Sequence, residues 1–214
     1  MKLNTIWSGR LILAVLVIAT SGSNVLAARS SNPRTGSFIS PEKKTTEQRA
    51  IENYDEGLEH SDRAFQHREN ALASDSENSR KKLLGRTDRE LKKAVKKFNK
   101  VIKLQPEHYQ AHANRGCALK ELGDLTEAVD ALEASLSLRA EYPPAMECRA
   151  EADLALGRFA EVRKAYVALV DLDPDKAKQL VEAIDAWLNN PPGDTPEAAI
   201  TQMSAWVGQK RGLH

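Results

Sequence analysis

The feature that most constrains this chain is an internal repeat with a period of 34 residues. The stretch GCALKELGDLTEAV at 116–129 returns in looser form as AEADLALGRFAEV at 150–162. Leu122, Gly123 and Leu138 each have a matching residue one period later. A fixed period in this range indicates a solenoid, in which one unit cannot bury its own apolar face and must stack on its neighbours. The repeat therefore predicts a row of stacked units.

The composition favours helices for these units. Hydrophobic residues make up 41% of the chain and charged residues 29%, which fits a protein that buries a core. Aromatic residues make up only 5%, so Ala, Leu and Val must supply most of that core. Such residues suit closely packed helices, whereas a sheet needs more β-branched and aromatic side chains. We expect an all-α fold.

The N-terminus has the pattern of an export signal. Lys2 and Arg10 flank a charged start, and LILAVLVIA at 11–19 is an uninterrupted apolar run. Val25-Leu26-Ala27 then supplies a cleavage site, so residues 1–27 are predicted to be a signal peptide. An uncleaved anchor is the alternative, although the run is shorter than the roughly 20 residues of a membrane span. The mature protein is expected to be periplasmic or secreted, without a stable membrane span.

Residues 28–46 are rich in Ser, Pro, Gly and Thr without an apolar period, which predicts a disordered linker. The whole chain has 31 Lys and Arg against 30 Asp and Glu. Loss of Lys2 and Arg10 with the signal peptide leaves 29 bases against 30 acids, a net charge of about −1. No global charge therefore favours nucleic acid or a membrane surface as partner.

Residues 47–108 are expected to form a charged helical hairpin that ends in a degenerate repeat unit. The sequence SDSEN at 74–78 predicts the turn between its helices. Gly85 weakens the second helix, and Thr87 with Glu90 could cap a new start there, so one helix or two pieces remain possible. The first helix carries one apolar stripe. Its members are Ile51, Tyr54, Leu58, Phe65 and Leu72.

The two helices of this hairpin differ in charge. Residues 47–77 contain nine acids and three bases, whereas residues 80–103 contain eleven bases and two acids. This contrast predicts antiparallel helices with complementary flanks. Alternatively, the basic helix 80–103 binds an anionic polymer of the cell envelope, although a run of lysines is more often a solvated face.

Two units, 109–142 and 143–176, resemble the tetratricopeptide repeat family. In the first unit, Gly116 stands at the small position where two helices cross, and Leu132 stands at the large apolar position of the second helix. The remaining matches are Leu122, Gly123 and Ala128, then Ala150, Leu156, Gly157, Val162, Tyr166 and Pro174. The degenerate unit offers Ala94, Phe98, Val101 and Pro106. The resemblance implies a short α-solenoid of helical hairpins.

Residues 177–214 are expected to form two helices that cap the solenoid. An alternative places the last helix in the groove of the solenoid, from which a partner displaces it. Each helix has one apolar face. The inward residues are Leu180, Ile184, Trp187 and Leu188 in the first, and Ile200, Met203, Trp206 and Val207 in the second.

The resemblance also implies a binding groove, because the first helix of each family unit lines it. The family's carboxylate-binding positions hold Ala113, Cys117 and Cys148 here, which argues against capture of a terminal carboxylate. The acidic members instead favour a basic or amphipathic protein or peptide partner. The groove candidates are Gln110, Asn114, Lys120, Glu121, Glu147 and Glu151.

The same resemblance brings the only two cysteines together. Cys117 and Cys148 occupy positions that neighbour each other on adjacent first helices of the family. Disulfides persist outside the cytoplasm, so a bridge between them is expected. Two unpaired buried thiols are one alternative. A reactive, thiol-responsive pair is another, although no CxxC spacing supports it.

No catalytic, metal or cofactor site is expected. His108 and His112 are four residues apart, but they lack the intervening carboxylate of an HExxH site. No glycine-rich phosphate loop or GxSxG motif occurs in the sequence. The sequence therefore favours a non-enzymatic adaptor that binds a protein partner in the envelope.

Overall fold

The structure, a computed structural model, describes residues 43–193 and 195–211 and consists there of eight helices without strands. The predicted all-α fold is confirmed. The predicted signal peptide at 1–27 and the linker up to residue 42 lie outside the described residues. The helices are α1 (Thr46–Leu72), α2 (Glu77–Leu104), α3 (Tyr109–Leu122), α4 (Leu125–Leu138), α5 (Pro143–Ala155), α6 (Phe159–Leu172), α7 (Pro174–Asn189) and α8 (Glu197–Arg211).

Local sequence signals account for the helix boundaries. A capping box starts α1, because Thr45 Oγ1 accepts from the Gln48 amide at 3.1 Å and the Thr45 amide donates back to Gln48 Oε1 at 2.8 Å. Gly123 ends α3 with a φ of 86°, a left-handed conformation that glycine adopts at little cost. Prolines at the first turns of α5 and α7 fit positions where no backbone donor is needed.

The second helix, α2, is one continuous helix from Glu77 to Leu104. Thr87 does not restart it, since its hydroxyl donates to the Leu83 carbonyl oxygen at 3.2 Å within the same helix. Gly85 lies within this helix, and a Cβ added to it would meet no atom within 4 Å. The choice left open by the sequence is thus resolved in favour of one helix.

A glycine opposite a large side chain sets the crossing of the first two hairpins. A Cβ on Gly57 of α1 would lie 2.5 Å from the Phe98 ring of α2, and a Cβ on Gly116 of α3 would lie 2.5 Å from Leu132 of α4. Phe98, Leu132 and Tyr166 follow one another at the 34-residue period. The α1–α2 hairpin is therefore a lengthened version of the same unit.

The C-terminal helices close the end of the array. Leu180, Ile184 and Trp187 of α7 join one buried apolar cluster with Met203 and Val207 of α8, as the sequence predicted. The Trp206 ring lies edge-on to Tyr166 of α6, with centroids 5.1 Å apart. Helix α8 thus packs against α7 and contacts α6 through Trp206. None of the described helices is long and apolar enough to cross a membrane.

Candidate interaction surface

The first helix of each hairpin contributes to one continuous surface, here called the A face, formed by α1, α3, α5 and α7. Helix α3 packs against α5, and α5 packs against α7. Helix α1 reaches α3 through Arg68, which binds Glu121, and through Tyr54, whose hydroxyl oxygen accepts from Asn114 Nδ2 at 3.0 Å. Side chains from four helices therefore meet on the A face.

Two successive contacts join α3 to α5. Cys117 and Cys148 form a disulfide with Cα atoms 5.6 Å apart, so the bridge expected from the sequence is present. One turn further along both helices, Lys120 binds Glu151. The disulfide and the ion pair share a separation of 31 residues. Together they fix the spacing and the register of the two helices at the centre of the A face.

Two groups of ion pairs lie on the A face, one that joins α1, α3 and α5 and one that joins α5 and α7. Glu121 binds Arg68 of α1 and accepts from Lys120 at 3.0 Å. At the other end, Glu147 of α5 pairs with Lys176 of α7 at 2.5 Å. These groups are largely removed from water: Glu147, Glu151 and Lys176 are 7%, 4% and 3% exposed. Each buried charge has an opposite charge beside it, as burial requires.

The pKa values follow from this mixture of burial and pairing. Burial disfavours a charged Lys120, but Glu121 and Glu151 raise its pKa above the usual range. Burial would raise the pKa of Glu121, yet Lys120 and Arg68 hold it below its usual value. For Glu147 the balance reverses, because burial and then Glu151 raise its pKa to about 7 despite Lys176. Glu147 is therefore the carboxyl of the A face that is poised to take up a proton near neutral pH.

These ion pairs give the acidic groove candidates a structural role in place of the expected binding role. Glu121, Glu147 and Glu151 do lie on the A face, but intrachain cations already neutralise them. The sequence could not reveal this, because Arg68 and Lys176 stand 53 and 29 residues from their partners. These carboxylates hold the helices together and offer little free charge to a basic partner.

An aromatic cluster lies at the end of the A face where α3 and α5 begin. The Tyr109 and Tyr142 rings meet edge-on with centroids 5.0 Å apart, and the Arg139 guanidinium lies over both. The rings of Tyr54 and His108 lie against each other with centroids 4.8 Å apart. Burial raises the pKa of the Tyr54 hydroxyl to about 12. Gln110 lines an open depression beside this cluster, together with residues 105–109. Sequence reasoning missed the cluster, although Tyr109 and Tyr142 begin and end one predicted unit.

One apolar row near the A face stays exposed or partly exposed. Ile51 and Leu72 of α1 are 54% and 49% exposed, and Leu58 and Phe65 between them are only partly buried. The stripe read from the sequence therefore exists on α1, but of its members Tyr54 meets α2, where its ring centroid lies 5.9 Å from that of Phe98. The small residues one position before the other four are buried, and Gly57 among them faces Phe98: Ala50, Gly57, Ala64 and Ala71.

Residues 97–130 match the family model of the tetratricopeptide repeat. The match begins in the second half of α2, includes all of α3 and ends within α4. It therefore covers the end of α2, all of α3 with Gly116, and the start of α4, and it ends two residues before Leu132. The family resemblance inferred from the sequence is confirmed at this unit, and the stacked hairpins on either side extend the same architecture.

Proposed function

We propose that this chain, which carries a tetratricopeptide repeat, is an exported adaptor that binds a protein or peptide partner in the cell envelope. Proteins of this family typically serve as interaction modules, and a solenoid offers an extended surface rather than a catalytic pocket. Export is supported by the N-terminal sequence, where an apolar run at 11–19 precedes Val25-Leu26-Ala27.

The observation that carries this proposal is the rigid construction of the A face. The disulfide and the buried pair between Lys120 and Glu151 hold α3 on α5, and Glu147 with Lys176 holds α5 on α7. A surface fixed in advance loses little conformational entropy when a partner binds. The proposed mechanism is therefore stoichiometric binding to preorganised helices, without covalent chemistry.

Site-specific photocrosslinking in intact cells tests the proposal. A benzophenone amino acid replaces Gln110 on the A face in one variant and Asp130 on the exposed side of α4 in a matched control. We expect a discrete protein adduct from position 110 and none from position 130. Equal adducts at both positions, or none at position 110, would remove the A face from the proposal.

A second candidate is binding of a polyanion by α2. At 100° per residue, ten of the eleven cations of residues 80–103, all except Arg80, fall within an arc of about 160° on one side of the helix. The predicted pairing across the hairpin is limited, since the cation–carboxylate contacts between α1 and α2 involve only Lys97 with Glu56, and His60 and Arg63 with Glu90. Several cations have no carboxylate within 4 Å among the described residues: Lys81, Lys82, Arg86, Lys92, Lys96, Lys100 and Lys103.

Heparin binding distinguishes this second candidate. A polyanion held by lysines should dissociate steeply as salt is raised, whereas binding on the A face need not. The variant Lys92→Glu/Lys96→Glu should then lose heparin affinity, and Lys164→Glu on the exposed side of α6 should not. Equal binding by all three proteins would exclude α2 as a specific polyanion site.

A further inference from the structure

Helix α1 repeats itself every seven residues, and each position of the repeat has its own environment. The apolar row consists of Ile51, Leu58, Phe65 and Leu72. The position before each of these holds a small residue, and these small residues are buried against α2, where Gly57 meets Phe98. Because residues seven apart lie on nearly the same side of a helix, the apolar row runs the length of α1 as a narrow ridge. The ridge is about 32 Å long at 1.5 Å per residue.

The ridge points away from α2. Arg63 and Glu56, which reach α2, lie on the opposite side of α1, whereas Tyr54 and Arg68 on the near side contact α3. None of the four apolar residues of the ridge joins the buried apolar clusters of the described residues. An apolar row with exposed ends and a partly exposed centre marks an interaction surface more often than a solitary exposed side chain does.

An acidic row borders the ridge on the side away from α3. Asp55, Asp62 and Glu69 repeat at the same seven-residue interval, each four residues after an apolar member. Among the described residues, no cation lies within ion-pair distance of these three carboxylates. Burial and the neighbouring Glu59 raise the pKa of Asp62, as expected for a carboxyl beside like charge without a counterion. The apolar ridge thus carries an uncompensated negative border.

This charge pattern argues against a second copy of the chain as the occupant. Packing α1 against an antiparallel α1 along the ridge would bring the acidic border against itself, and like charges across an interface are repulsive. A parallel α1 would face that border with the row of Ala50, Gly57, Ala64 and Ala71, which carries no cation to pair with it. The basic α2 of a second copy is no better, because its apolar face is already buried against α1 and its outward face consists of lysines and arginines. It could neutralise the border but could not cover the ridge.

We propose that the ridge of α1 binds an amphipathic helix of a protein partner whose apolar stripe is flanked by Lys or Arg. The partner's apolar side chains cover Ile51, Leu58, Phe65 and Leu72, and its basic flank pairs with Asp55, Asp62 and Glu69. Recognition by an apolar seam with charged flanks is the ordinary mode of helix-on-helix binding. The inference rests on the proposed adaptor function and specifies the partner. It places the principal partner contact on α1 rather than on the neutralised carboxylates of α3 and α5.

Binding of defined peptides to the full chain tests the inference. The probe is a fluorescent helical peptide of about three heptads, with leucines on one face and lysines on the flanks. A second peptide keeps the leucines but has glutamates on the flanks. Fluorescence anisotropy should show the lysine peptide binding at least about tenfold more tightly, because only its flank opposes the acidic border.

Substitutions on α1 and matched substitutions elsewhere locate the site. Ile51→Ser/Leu72→Ser should weaken the lysine peptide by about tenfold or more, as loss of two buried aliphatic contacts implies. Asp55→Lys/Glu69→Lys should weaken the lysine peptide and strengthen the glutamate peptide. The controls are Val167→Ser, at a residue of α6 that is 61% exposed, and Asp130→Lys on α4. Both should bind the lysine peptide like the unaltered chain.

The outcomes separate this inference from the proposed function. Unchanged binding by the α1 variants, or equal loss in the controls, overturns the inference even if position 110 still crosslinks to a partner. A dimer in sedimentation that Ile51→Ser/Leu72→Ser dissociates also overturns it, because the occupant is then a second copy. Loss of binding confined to the α1 variants, with reversal of flank preference in Asp55→Lys/Glu69→Lys, supports it.

Discussion

The α1–α2 hairpin and the α3–α4 hairpin share one crossing contact but are secured by different means. Gly57 faces Phe98 in the first, and Gly116 faces Leu132 in the second. The helices of the first contain 27 and 28 residues, and those of the second contain 14 each. A disulfide ties only the shorter hairpin to the next unit. The first hairpin is stabilised by the long contact between its two helices, and the second by its covalent link to the next unit. The outer face of α1 therefore need not be buried for the first hairpin to be stable.

The largest expected effect is the loss of the aromatic ring at the centre of the long hairpin. Phe98 is fully buried. Phe98→Ala should lower the free energy of unfolding by about 3 to 5 kcal/mol, because it removes a large transfer term and leaves a cavity beside Gly57. Urea unfolding followed by circular dichroism measures the change. Val167→Ala, at an exposed position of α6, should change it by less than about 0.5 kcal/mol.

The Phe98→Ala variant shows whether the length of α1 and α2 is enough to stabilise the first hairpin without the ring contact. If Phe98→Ala is as mild as Val167→Ala, the glycine-to-ring contact is dispensable and the two hairpins do not share a common structural basis. If it melts α1 and α2 while the disulfide-linked region stays folded, unfolding will show two transitions. The long hairpin is then a separate cooperative unit.

The second prediction removes the covalent link that the long hairpin lacks. Cys117→Ser/Cys148→Ser should lower the free energy of unfolding by about 3 to 4 kcal/mol, the loop-closure value for cysteines separated by 31 residues. A reducing agent should destabilise the unaltered chain by a similar amount. It should leave the double variant unchanged, which controls for other effects of the reductant.

The oxidation state also bears on export and on the thiol-responsive alternative. Protein recovered from the envelope should contain the bridge, since disulfides persist outside the cytoplasm. Mass measurement with and without reductant and alkylation distinguishes bridged from free thiols. Two free thiols in native protein would contradict both the bridge and the compartment inferred from residues 1–27. Reversible loss of partner binding on reduction would favour a thiol-responsive module.

The third prediction contrasts the pH response of the two regions. In the long hairpin, burial by itself would raise the pKa of Glu90, but hydrogen bonds from Lys93 and His60 hold it below its usual value. Such a group stabilises the fold above its unfolded pKa, and this contribution is lost as the pH falls. Glu147 on the A face behaves oppositely, because its folded pKa of about 7 exceeds the usual 4.5. Its contribution is fully present below about pH 4.5 and is lost as the pH rises towards 7.

The variant Glu147→Gln isolates this response. The unaltered chain should lose up to about 3 kcal/mol between pH 4.5 and 7 through this group, and the variant should lack that decline. His108 opposes the trend in the same range, because burial lowers its pKa. The quantity to compare is therefore the difference in slope between the two proteins. Parallel pH profiles would show that Lys176 keeps Glu147 ionised.

The sequence predicted the repeat architecture better than it predicted the surface. Gly116 and Leu132 could be placed because they stand in a 34-residue pattern that encodes their contact. Cys117 and Cys148 could be paired through the family resemblance and the expected compartment. The same period extends back from Leu132 to Phe98, which indicates the second helix of the first unit. It does not indicate Gly57, because the long hairpin inserts extra turns between Gly57 and Phe98.

The site was harder to predict because the relevant facts are distances between remote residues. Nothing local to Glu121 shows that Arg68 neutralises it. On α1 the usual rule, that the larger apolar row faces the core, failed. At Gly57 the reason is that Phe98 occupies the space between the helices and admits only a small residue opposite. A row of Ala and Gly at seven-residue intervals was visible in the sequence and is the signal that could have placed the larger row outside.

The smallest effect separates the crossing glycines from a glycine without a packing role. An added methyl group at Gly57 or Gly116 meets a buried side chain, and overpacking costs about 1 to 3 kcal/mol against a helix-propensity gain of at most about 1 kcal/mol. Gly57→Ala and Gly116→Ala should therefore both destabilise, by up to about 2 kcal/mol. Gly85→Ala on α2 meets nothing and should stabilise by up to about 1 kcal/mol. Chemical denaturation measures all three. A stabilising Gly57→Ala beside a destabilising Gly116→Ala would mean that the long helices can separate to admit a methyl group, whereas the disulfide-linked unit cannot.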